Sequence, residues 1–395
     1  MKSAICLPFL REIREDPEYG WRGIMLDESR HFFGKDKVKS ILDWMVYYKL
    51  NRFHWHLTDS PGWRIEIKKY SKLGHVGGIG NHTDPYMPAQ FYTQEDIKEI
   101  VAYAKERKIV VIPEIDMPGH ATAANHAYPE YSGGGSERYP DWTFHPGREG
   151  TYQYLTDILR EVDALFPSQM VHLGGDEVSF GNHRWKTDPE VQELMRRNNL
   201  DDLKAVENYF MRRMNDSLMK LNNHILVWDE MADAGLPKDR SVIFWWRHDQ
   251  PEQLKLSLEN GHKTVICPRL PFYFDFVQNE DHRFGRKWGG RFNELQDVYE
   301  FSLSGLGIDE EQRSLVLGFQ GNVWTETINN EQRLDFLLYP RIAALAETVW
   351  CAEGRKDYGD FLSRLKSHLN LYRDHSIYFY NPFDENEYPE PVLMK

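Results

Sequence analysis

MVHLGGDE (170–177) is a short apolar run that ends in two glycines and two adjacent acids, Asp176 and Glu177. A run of this kind is typical of a buried β-strand, so the two acids would stand at its carboxyl end. We predict that the backbone curls there after the two glycines, so that both acid side chains reach one cavity. Two like charges in a partly dry place repel each other. The pair is therefore either a solvated acidic turn or two carboxyl groups whose surroundings give them different pKa values and different tasks.

Further runs of the same kind follow one another along the chain, and segments of helical character lie between several of them. Strands that alternate with helices indicate βαβ units and a parallel sheet. Eight runs in 395 residues favour a closed (β/α)8 barrel over an open doubly wound sheet. We therefore predict an α/β fold, a TIM barrel, with a single catalytic domain over residues 21–395. The eight runs are GIMLDE (23–28), RFHWHLTD (52–59), IVVIPEID (109–116), MVHLGGDE (170–177), HILVWDE (224–230), SVIFWW (241–246), HKTVICP (262–268) and LVLGFQGNVW (315–324).

Two of the intervening segments show apolar residues at helical spacing, DKVKSILDWMVYYKL (36–50) and TQEDIKEIVAYAKERK (93–108). The second begins with Thr93, a residue type that caps helix N-termini, followed by an acidic first turn. Runs five and six are so close that the helix between them must be short or absent. SGGGS (132–136) is predicted to be a flexible loop.

The first 20 residues precede the first clear run, and we interpret residues 1–20 as a lead-in, consistent with the end of an upstream domain. They begin MKSAICLPFLREIRED, with only a short apolar run before the charges. This does not resemble a secretory signal peptide.

Composition excludes several classes of function. A formal net charge of −13 argues against a nucleic-acid partner, because phosphate binding needs clustered Lys and Arg. No stretch is apolar for long enough to span a bilayer, so no membrane partner is predicted. Cys6, Cys267 and Cys351 are odd in number and widely spaced, which gives neither a disulfide framework nor a metal knuckle. No phosphate-binding glycine loop follows a strand, and we predict no cofactor.

Polar and aromatic residues stand at the carboxyl ends of nearly all the runs. In a parallel barrel those ends gather on one face, where barrel active sites are built. A cleft rich in acids and tryptophan, without a cysteine nucleophile or a phosphate loop, indicates a sugar substrate. The strand-end residues are Asp27, Glu28, Asp59, Glu114, Asp116, Asp176, Glu177, Trp228, Asp229, Trp246 and Trp324.

At this point the residues carry a family resemblance. HLGGDEV (172–178) resembles the signature of the β-N-acetylhexosaminidases of glycoside hydrolase family 20. The resemblance extends from about Trp21 to Trp350 in the order of the family's motifs, and it covers the catalytic barrel. The other matching stretches are RGIMLDESRHFF (22–33), NRFHWHLTD (51–59), PEIDMPGHATAA (113–124), LVWDE (226–230), FWWR (244–247), FYFD (272–275) and GNVWTE (321–326).

The resemblance implies substrate-assisted catalysis, an exception among glycosidases that use two carboxylates. Glu177 would be the general acid and then the base that activates water. Asp176 would orient the 2-acetamido group, whose carbonyl oxygen attacks C1 to give an oxazolinium intermediate. Asp59 and His120 would form a polar relay that positions Glu177.

The resemblance also implies a set of substrate-binding residues. One terminal sugar, N-acetylglucosamine or N-acetylgalactosamine, would be held by its hydroxyls and by tryptophan rings around the acetamido methyl, which favours exo action. Substrates of this class lie outside the cell, so we expect the full-length protein to be exported. The implied binding residues are Arg30 for the 3- and 4-hydroxyls, Trp228, Trp246 and Trp324 for the ring and methyl, Tyr273 as donor to the acetamido oxygen, and Asp275 and Glu326 as acceptors for the 4- and 6-hydroxyls.

The chain departs from the family pattern at two places. Ser60 and Pro61 follow HLTD where a second acidic or amide residue is common. His248 follows the sixth-strand Trp-Arg where the family usually has an acid, and Arg247 and Arg269 lie near it in sequence. A basic rim of this kind gives the hypothesis of a preference for 6-sulfated N-acetylglucosamine, against the alternative that His248 is a neutral rim residue.

Two other functions remain open from sequence. One is a metal-dependent hydrolase on the same barrel, because alternation along a strand places His54 and His56 on one face, where His120, His172 and Asp176 could join them around a divalent ion. The other is a sugar-binding barrel without turnover. No metal is implied by the resemblance itself.

Overall fold

Eight parallel strands close into a barrel in residues 16–393, the part of the chain that the computed structural model describes. Around the barrel the order is β1–β8–β7–β6–β5–β4–β3–β2, so each strand pairs with its neighbours in sequence and the last pairs with the first. The strands are β1 Trp21–Asp27, β2 Arg52–His56, β3 Val110–Glu114, β4 Met170–His172, β5 His224–Trp228, β6 Ser241–Trp245, β7 Lys263–Ile266 and β8 Val316–Val323.

Helices fill most of the connections. Within residues 16–393, those of eight residues or more are α1 Lys35–Tyr47, α2 Gln94–Glu106, α3 Glu149–Leu165, α4 Pro189–Asn198, α5 Leu203–Lys220, α6 Pro251–Glu259, α7 Glu331–Leu338, α8 Arg341–Trp350 and α9 Tyr358–Asp374. Shorter helices span Lys72–His75, Thr122–Ala127, Arg269–Phe272, Leu295–Glu300 and Glu310–Arg313.

Alternation along the strands divides the core into two layers. In β1, Ile24 and Leu26 pack outward against the helices, whereas Met25 belongs to a second apolar cluster. β5 follows the same rule, with Ile225 and Val227 in the first cluster and Trp228 in the second. Successive side chains of a strand point to opposite faces, so the strands divide their side chains between the two layers. β2 differs in that the residues it turns inward are the polar His54 and His56. The second layer fills the barrel up to the face where the strands end.

The sequence-based predictions of the barrel are confirmed. Seven of the eight strands lie within the predicted runs, and β1 begins two residues before its run. α2 lies within its predicted helical segment, and α1 begins one residue before its own. Thr93 caps α2 in a reciprocal arrangement, because its hydroxyl accepts from the Asp96 N–H while the Asp96 carboxylate accepts from the Thr93 N–H. Between β5 and β6 there is a single 3-10 turn at Asp229–Met231 rather than a full helix.

The prediction for SGGGS was wrong. Ser132–Gly134 is a short strand that pairs antiparallel with Thr143–Phe144. A side chain at Gly133 would place its Cβ 2.6 Å from the Phe144 carbonyl oxygen, so glycine here allows close packing of two backbones.

Part of the predicted lead-in cannot be compared with the structure. Residues 1–15, with Cys6 among them, lie outside the described residues. Among the residues that are described, none of the helices is both long and apolar enough to cross a membrane.

Thr93→Ala is expected to lower the free energy of unfolding by about 1 kcal/mol, because one amide of the first turn of α2 loses its acceptor. Urea unfolding of the variant and the parent, followed by circular dichroism, measures the difference. Thr93→Ser keeps a hydroxyl and is the control. An unchanged urea midpoint for Thr93→Ala would contradict the capping role.

Candidate active site

The two adjacent acids follow a turn that glycine alone adopts easily. Shortly after β4 ends, φ is +66° at Gly174 and +91° at Gly175. A side chain at Gly174 would also place its Cβ 1.7 Å from Oδ1 of Asp116. Glu177 has a φ of +51°. The backbone therefore curls at the strand end, as predicted, and aims Asp176 and Glu177 into one cavity.

This cavity has a volume of about 580 Å³ and lies at the carboxyl ends of the barrel strands. Of the predicted site residues, Asp59, Asp275 and His248 lie outside its wall. Asp59 and Asp275 each form an ion pair with an arginine of the wall. The predicted residues that line the cavity are Arg30, His120, Asp176, Glu177, Trp228, Trp246, Tyr273, Trp324 and Glu326.

His120 lies between a buried carboxylate and the acid pair. Its Nδ1 is 2.9 Å from Oδ1 of Asp59. Its Nε2 is 3.5 Å from Oδ2 of Asp176 and 3.6 Å from Oε2 of Glu177. The ring packs against Trp142, with the ring centroids 4.3 Å apart. The structure thus brings together the four residues that the sequence predicted to be catalytic.

The row of acids and bases continues into the barrel. Nε2 of His56 is 3.1 Å from Oδ2 of Asp59, and its Nδ1 is 2.6 Å from Oε2 of Glu114. Glu114 is fully buried and accepts a hydrogen bond of 3.0 Å from the indole N–H of Trp228. Acidic and basic groups therefore alternate from Glu114 through His56 and Asp59 to His120.

Burial and charge give these groups different protonation states. Burial raises the pKa of Glu177, and the charge of Asp176 adds to this while His120 opposes it. Burial acts to lower the pKa of His120, but the charge of Asp59 raises it well above its usual value. Against its own burial, Asp59 has a pKa well below its usual range because of Arg30 and His120. Glu177 thus tends to hold a proton beside a cationic imidazole.

A further buried carboxyl, that of Asp116, lies close to Asp176 and His120. Burial, and then the charge of Asp176, hold the pKa of Asp116 well above its usual range. Among the described residues, neither carboxyl oxygen of Asp116 has a hydrogen-bond partner. Asp116, His120 and Asp176 each place an oxygen or nitrogen within 4.8 Å of the others. The sequence had identified Asp116 only as one of several strand-end acids.

Arg30 is a buried arginine held by carboxylates. Its Nη2 is 2.7 Å from Oδ2 of Asp59, and its Nη1 is 3.4 Å from Oδ2 of Asp27. The guanidinium also lies 5.0 Å from the ring centroid of Trp324 and 3.9 Å from Oε1 of Glu326. A surface arginine would not be fixed in this way, so its position in the cavity wall is set by burial and charge together.

Four aromatic rings also line the cavity. Trp246 and Tyr273 are nearly parallel, with an interplanar angle of 10° and centroids 6.2 Å apart. Trp324 lies 6.0 Å from Tyr273 and 5.8 Å from Trp228. The indole N–H of Trp246 donates to Glu230 at 3.0 Å. Burial raises the pKa of Tyr273 well above its usual value, so its hydroxyl remains a hydrogen-bond donor.

Another arginine, Arg286, which the sequence analysis missed, bridges the two acids predicted to bind sugar hydroxyls. Nε of Arg286 is 3.1 Å from Oδ2 of Asp275, and its Nη2 is 2.6 Å from Oε1 of Glu326. Burial raises the pKa of Asp275 to about 7 even with Arg286 beside it. Oδ1 of Asp275 and Oε2 of Glu326 are buried without a hydrogen-bond partner among the described residues, and Glu326 lies in the cavity wall.

Arg286 begins a short hairpin whose sequence contained a usable signal. In GRKWGG (285–290), two basic residues and a tryptophan precede a Gly-Gly pair with positive φ at both glycines. Trp288 and Arg291 pair across this turn, and Arg286, Lys287 and Trp288 line the cavity. A turn signal beside basic and aromatic residues, soon after a strand-end acid, is typical of a binding loop.

His248 does not face the cavity. Its ring lies edge-on to Trp288, with centroids 6.0 Å apart. Arg269 does line the cavity, but its guanidinium is taken by an ion pair with Asp249 and by the faces of Trp288 at 3.8 Å and Trp246 at 4.8 Å. Arg247 pairs with Asp229 at 2.7 Å, so the two arginines of the predicted basic rim are paired or stacked rather than free to bind an anion.

The model of the glycosyl hydrolase family 20 catalytic domain matches residues 19–353. The chain belongs to glycosyl hydrolase family 20. This match includes every residue predicted for the site, from Arg30 to Glu326.

Named relatives and solved structures agree with the family assignment. A β-hexosaminidase of Porphyromonas gingivalis is 35% identical over 95% of this chain and 48% of its own length. A β-hexosaminidase of Vibrio furnissii is 36% identical over 85% of this chain and 57% of its own. The solved exo β-N-acetylglucosaminidase of Vibrio harveyi, in complex with N-acetylglucosamine, has a TM-score of 0.86 at 34% identity over 93% of this chain and 60% of that one. This chain thus spans about half the length of the curated relatives it matches first.

The residues considered for a metal site fall into separate groups in this family 20 barrel. His54 and His172 face Glu114 inside the barrel, at 2.9 and 3.1 Å. His120 and Asp176 face the cavity instead. Among the described residues, three buried groups have nitrogen and oxygen atoms within 4.8 Å of one another, the spacing that a metal ion needs. They are His54, Glu114 and His172; His56, Asp59 and Asp116; and Asp116, His120 and Asp176.

Asp59→Asn is expected to lower the pKa of His120, because the charge of Asp59 is the largest interaction that raises it. His120 would then lose its proton at a lower pH than in the parent. Titration of protein carrying ¹⁵N-labelled histidine, with His120 assigned through a His120→Gln variant, measures the change. Asp43→Asn, an exposed acid on α1, is the control. An unchanged His120 titration would show that the pair does not set its protonation.

Proposed function

We propose that this chain is a retaining exo-β-N-acetylhexosaminidase that removes one terminal β-linked N-acetylglucosamine or N-acetylgalactosamine. The observation that carries the proposal is the adjacent pair Asp176 and Glu177, aimed into one aromatic-walled cavity of a family 20 catalytic domain. The N-acetylglucosamine bound to the Vibrio harveyi relative supports this class of ligand. Because such glycans lie outside the cell, the proposal includes export of the full-length protein.

Glu177 supplies the proton. In the first step its carboxyl protonates the glycosidic oxygen as the bond from C1 to that oxygen breaks. In the second step the same group, now a carboxylate, takes a proton from the water that attacks C1. The raised pKa of Glu177 supports the first task, because the group must begin protonated. The cationic His120, 3.6 Å away, stabilises the negative charge that Glu177 carries between the two steps.

Asp176 acts on the substrate's own nucleophile. Its carboxylate accepts the N–H of the 2-acetamido group and so directs the carbonyl oxygen toward C1. As that oxygen attacks, positive charge spreads over the acetamido group, and the neighbouring carboxylate stabilises the oxazolinium ion. The Tyr273 hydroxyl donates to the acetamido oxygen. Attack by the acetamido oxygen and then by water inverts C1 twice, so the β configuration is retained.

The remaining residues hold the sugar ring. Trp228, Trp246 and Trp324 enclose the acetamido methyl and pack on the apolar face of the ring. Arg30 donates to the 3- and 4-hydroxyls. The unpartnered oxygens of Asp275 and Glu326 accept from the 4- and 6-hydroxyls. A cavity wall that binds the hydroxyls at the non-reducing end of the glycan favours exo action, the removal of one terminal sugar.

A preference for 6-sulfated N-acetylglucosamine is not part of the proposal. A sulfate on the 6-hydroxyl would meet Asp275 and Glu326, whose free oxygens suit hydroxyl donors and repel an anion. His248, on which the hypothesis depended, lies outside the cavity wall. The contacts therefore give sulfate recognition no support.

Glu177→Gln and Asp176→Asn are expected to differ in how their loss depends on the leaving group. On a GlcNAc disaccharide, Glu177→Gln should lower kcat about 10²–10⁴-fold, because a poor leaving group needs the proton. On p-nitrophenyl β-GlcNAc its loss should be smaller, since nitrophenolate leaves without a proton. Asp176→Asn should lower kcat about 10²-fold or more on both substrates, because it acts on the acetamido group in each.

Steady-state kinetics of both variants on both substrates decides this. Glu190→Gln, an exposed acid at the start of α4, is the control and should match the parent. A parent that binds N-acetylglucosamine but turns over neither substrate would favour the sugar-binding barrel. Equal losses for both variants on both substrates would contradict the separate roles.

The metal-dependent alternative rests on the buried groups of histidines and acids in the barrel, among them His54, Glu114 and His172. Under our proposal those groups pair with one another, so dialysis against EDTA should leave kcat on p-nitrophenyl β-GlcNAc unchanged within error. Metal analysis of the dialysed protein confirms that the treatment was complete. Loss of activity that Zn²⁺ or another divalent ion restores would favour the metal hydrolase instead.

A further inference from the structure

Phe180 is a large apolar side chain that the proposed chemistry leaves without a task. It is 40% exposed and lines the same cavity as the acid pair. Within residues 16–393, the other large hydrophobic side chain that is both this exposed and in the cavity wall is Trp288. One face of Trp288 is already covered by Arg269, at 3.8 Å from the ring centroid. Phe180 carries no such cation.

The backbone holds Phe180 close to Glu177. Glu177 is followed at once by the 3-10 turn Val178–Phe180, and the Phe180 N–H donates to the Glu177 carbonyl oxygen at 3.0 Å. The two side chains therefore share one turn of backbone at the rim of the cavity. Any movement of that turn would displace the ring and the carboxyl together.

The ring is supported from behind by other aromatic residues. Phe180 stacks on Tyr139 at an interplanar angle of 22°, with centroids 5.3 Å apart. Tyr139 packs on Trp142 at 4.9 Å, and the Trp142 indole N–H donates to the Glu177 carbonyl oxygen at 3.2 Å. Trp142 also packs against His120. A rigid, partly exposed ring is suited to stacking, because little conformational entropy is lost when a ligand covers it.

The position of Glu177 decides which part of the substrate the ring would meet. A general acid lies beside the oxygen that it protonates, and that oxygen belongs to the leaving group. Arg286, Asp275 and Glu326 mark the opposite, non-reducing end of the sugar. A ring one turn beyond Glu177 is therefore on the leaving-group side.

We propose that Phe180, supported by Tyr139, is a stacking platform for the leaving sugar. The ligand is the pyranose to which the terminal N-acetylhexosamine is β-linked, and its apolar face packs on the exposed face of the ring. The subsite gives the enzyme a preference for glycan substrates over glycosides with small aglycones. This inference rests on the proposed glycosidase function and extends it to the second sugar.

The test compares a leaving group that has a ring with one that has none. Phe180→Ala should lower kcat/KM about tenfold on the β-1,4-linked GlcNAc disaccharide, mainly through KM, the equivalent of one lost stacking contact. On methyl β-GlcNAc, whose leaving group is methanol, kcat/KM should stay within about twofold of the parent. Phe180→Tyr keeps an aromatic ring and should restore most of the disaccharide activity.

Phe383→Ala is the matched control. Phe383 is 39% exposed, close to Phe180 in exposure, and does not line the cavity. Its removal should change neither substrate. Equal losses of Phe180→Ala on both substrates would mean that the ring only supports Glu177, and unchanged kinetics on both would mean that no sugar packs there. Either result overturns the platform while leaving the glycosidase function intact. A parent that cleaves neither substrate would overturn the glycosidase function, and the platform with it.

Discussion

The carboxylate of Asp59 is the interaction on which the site depends. It is buried and faces three nitrogen donors, Arg30 at 2.7 Å, His56 at 3.1 Å and His120 at 2.9 Å. A buried charge is tolerated only when it is paired and hydrogen-bonded. Leaving the Asp59 carboxylate without a partner would cost free energy, and this cost holds all three partners in place. Because the partners come from the ends of β1, β2 and the segment after β3, one carboxylate ties three strand ends together.

Local sequence was sufficient for the barrel and for the acid pair. Short apolar runs with polar ends located all eight strands, since each strand is short and its carboxyl end carries a change in chemistry. Gly174 and Gly175 before two acids predicted the curl that lets Asp176 and Glu177 share a cavity, because only glycine takes that backbone easily. The roles of individual residues came from the family resemblance, not from these patterns.

The features of the site that the sequence could not predict depend on contacts between distant segments. Arg286 lies between Asp275 and Glu326 only because the hairpin after β7 folds back over the end of β8, and no periodicity encodes that return. Burial, which no single sequence displays, raises the pKa of Asp275 to about 7 and the pKa of Asp116 well above its usual range. His248 shows the opposite error, since a basic cluster in sequence became a set of neutralised and stacked groups in space.

Glu114 has a consequence for how this protein could diverge. The same buried carboxylate accepts from Trp228, in the proposed acetamido pocket, and faces His56, the first base in the row of acids and bases that leads to His120. A substitution that reshapes the pocket through Glu114 would disturb the relay as well, so selection could not adjust ligand fit and chemistry independently there. New substrate ranges would more readily arise at the rim of the cavity, where Trp288 packs on Arg269 and His248 and not on this row of acids and bases.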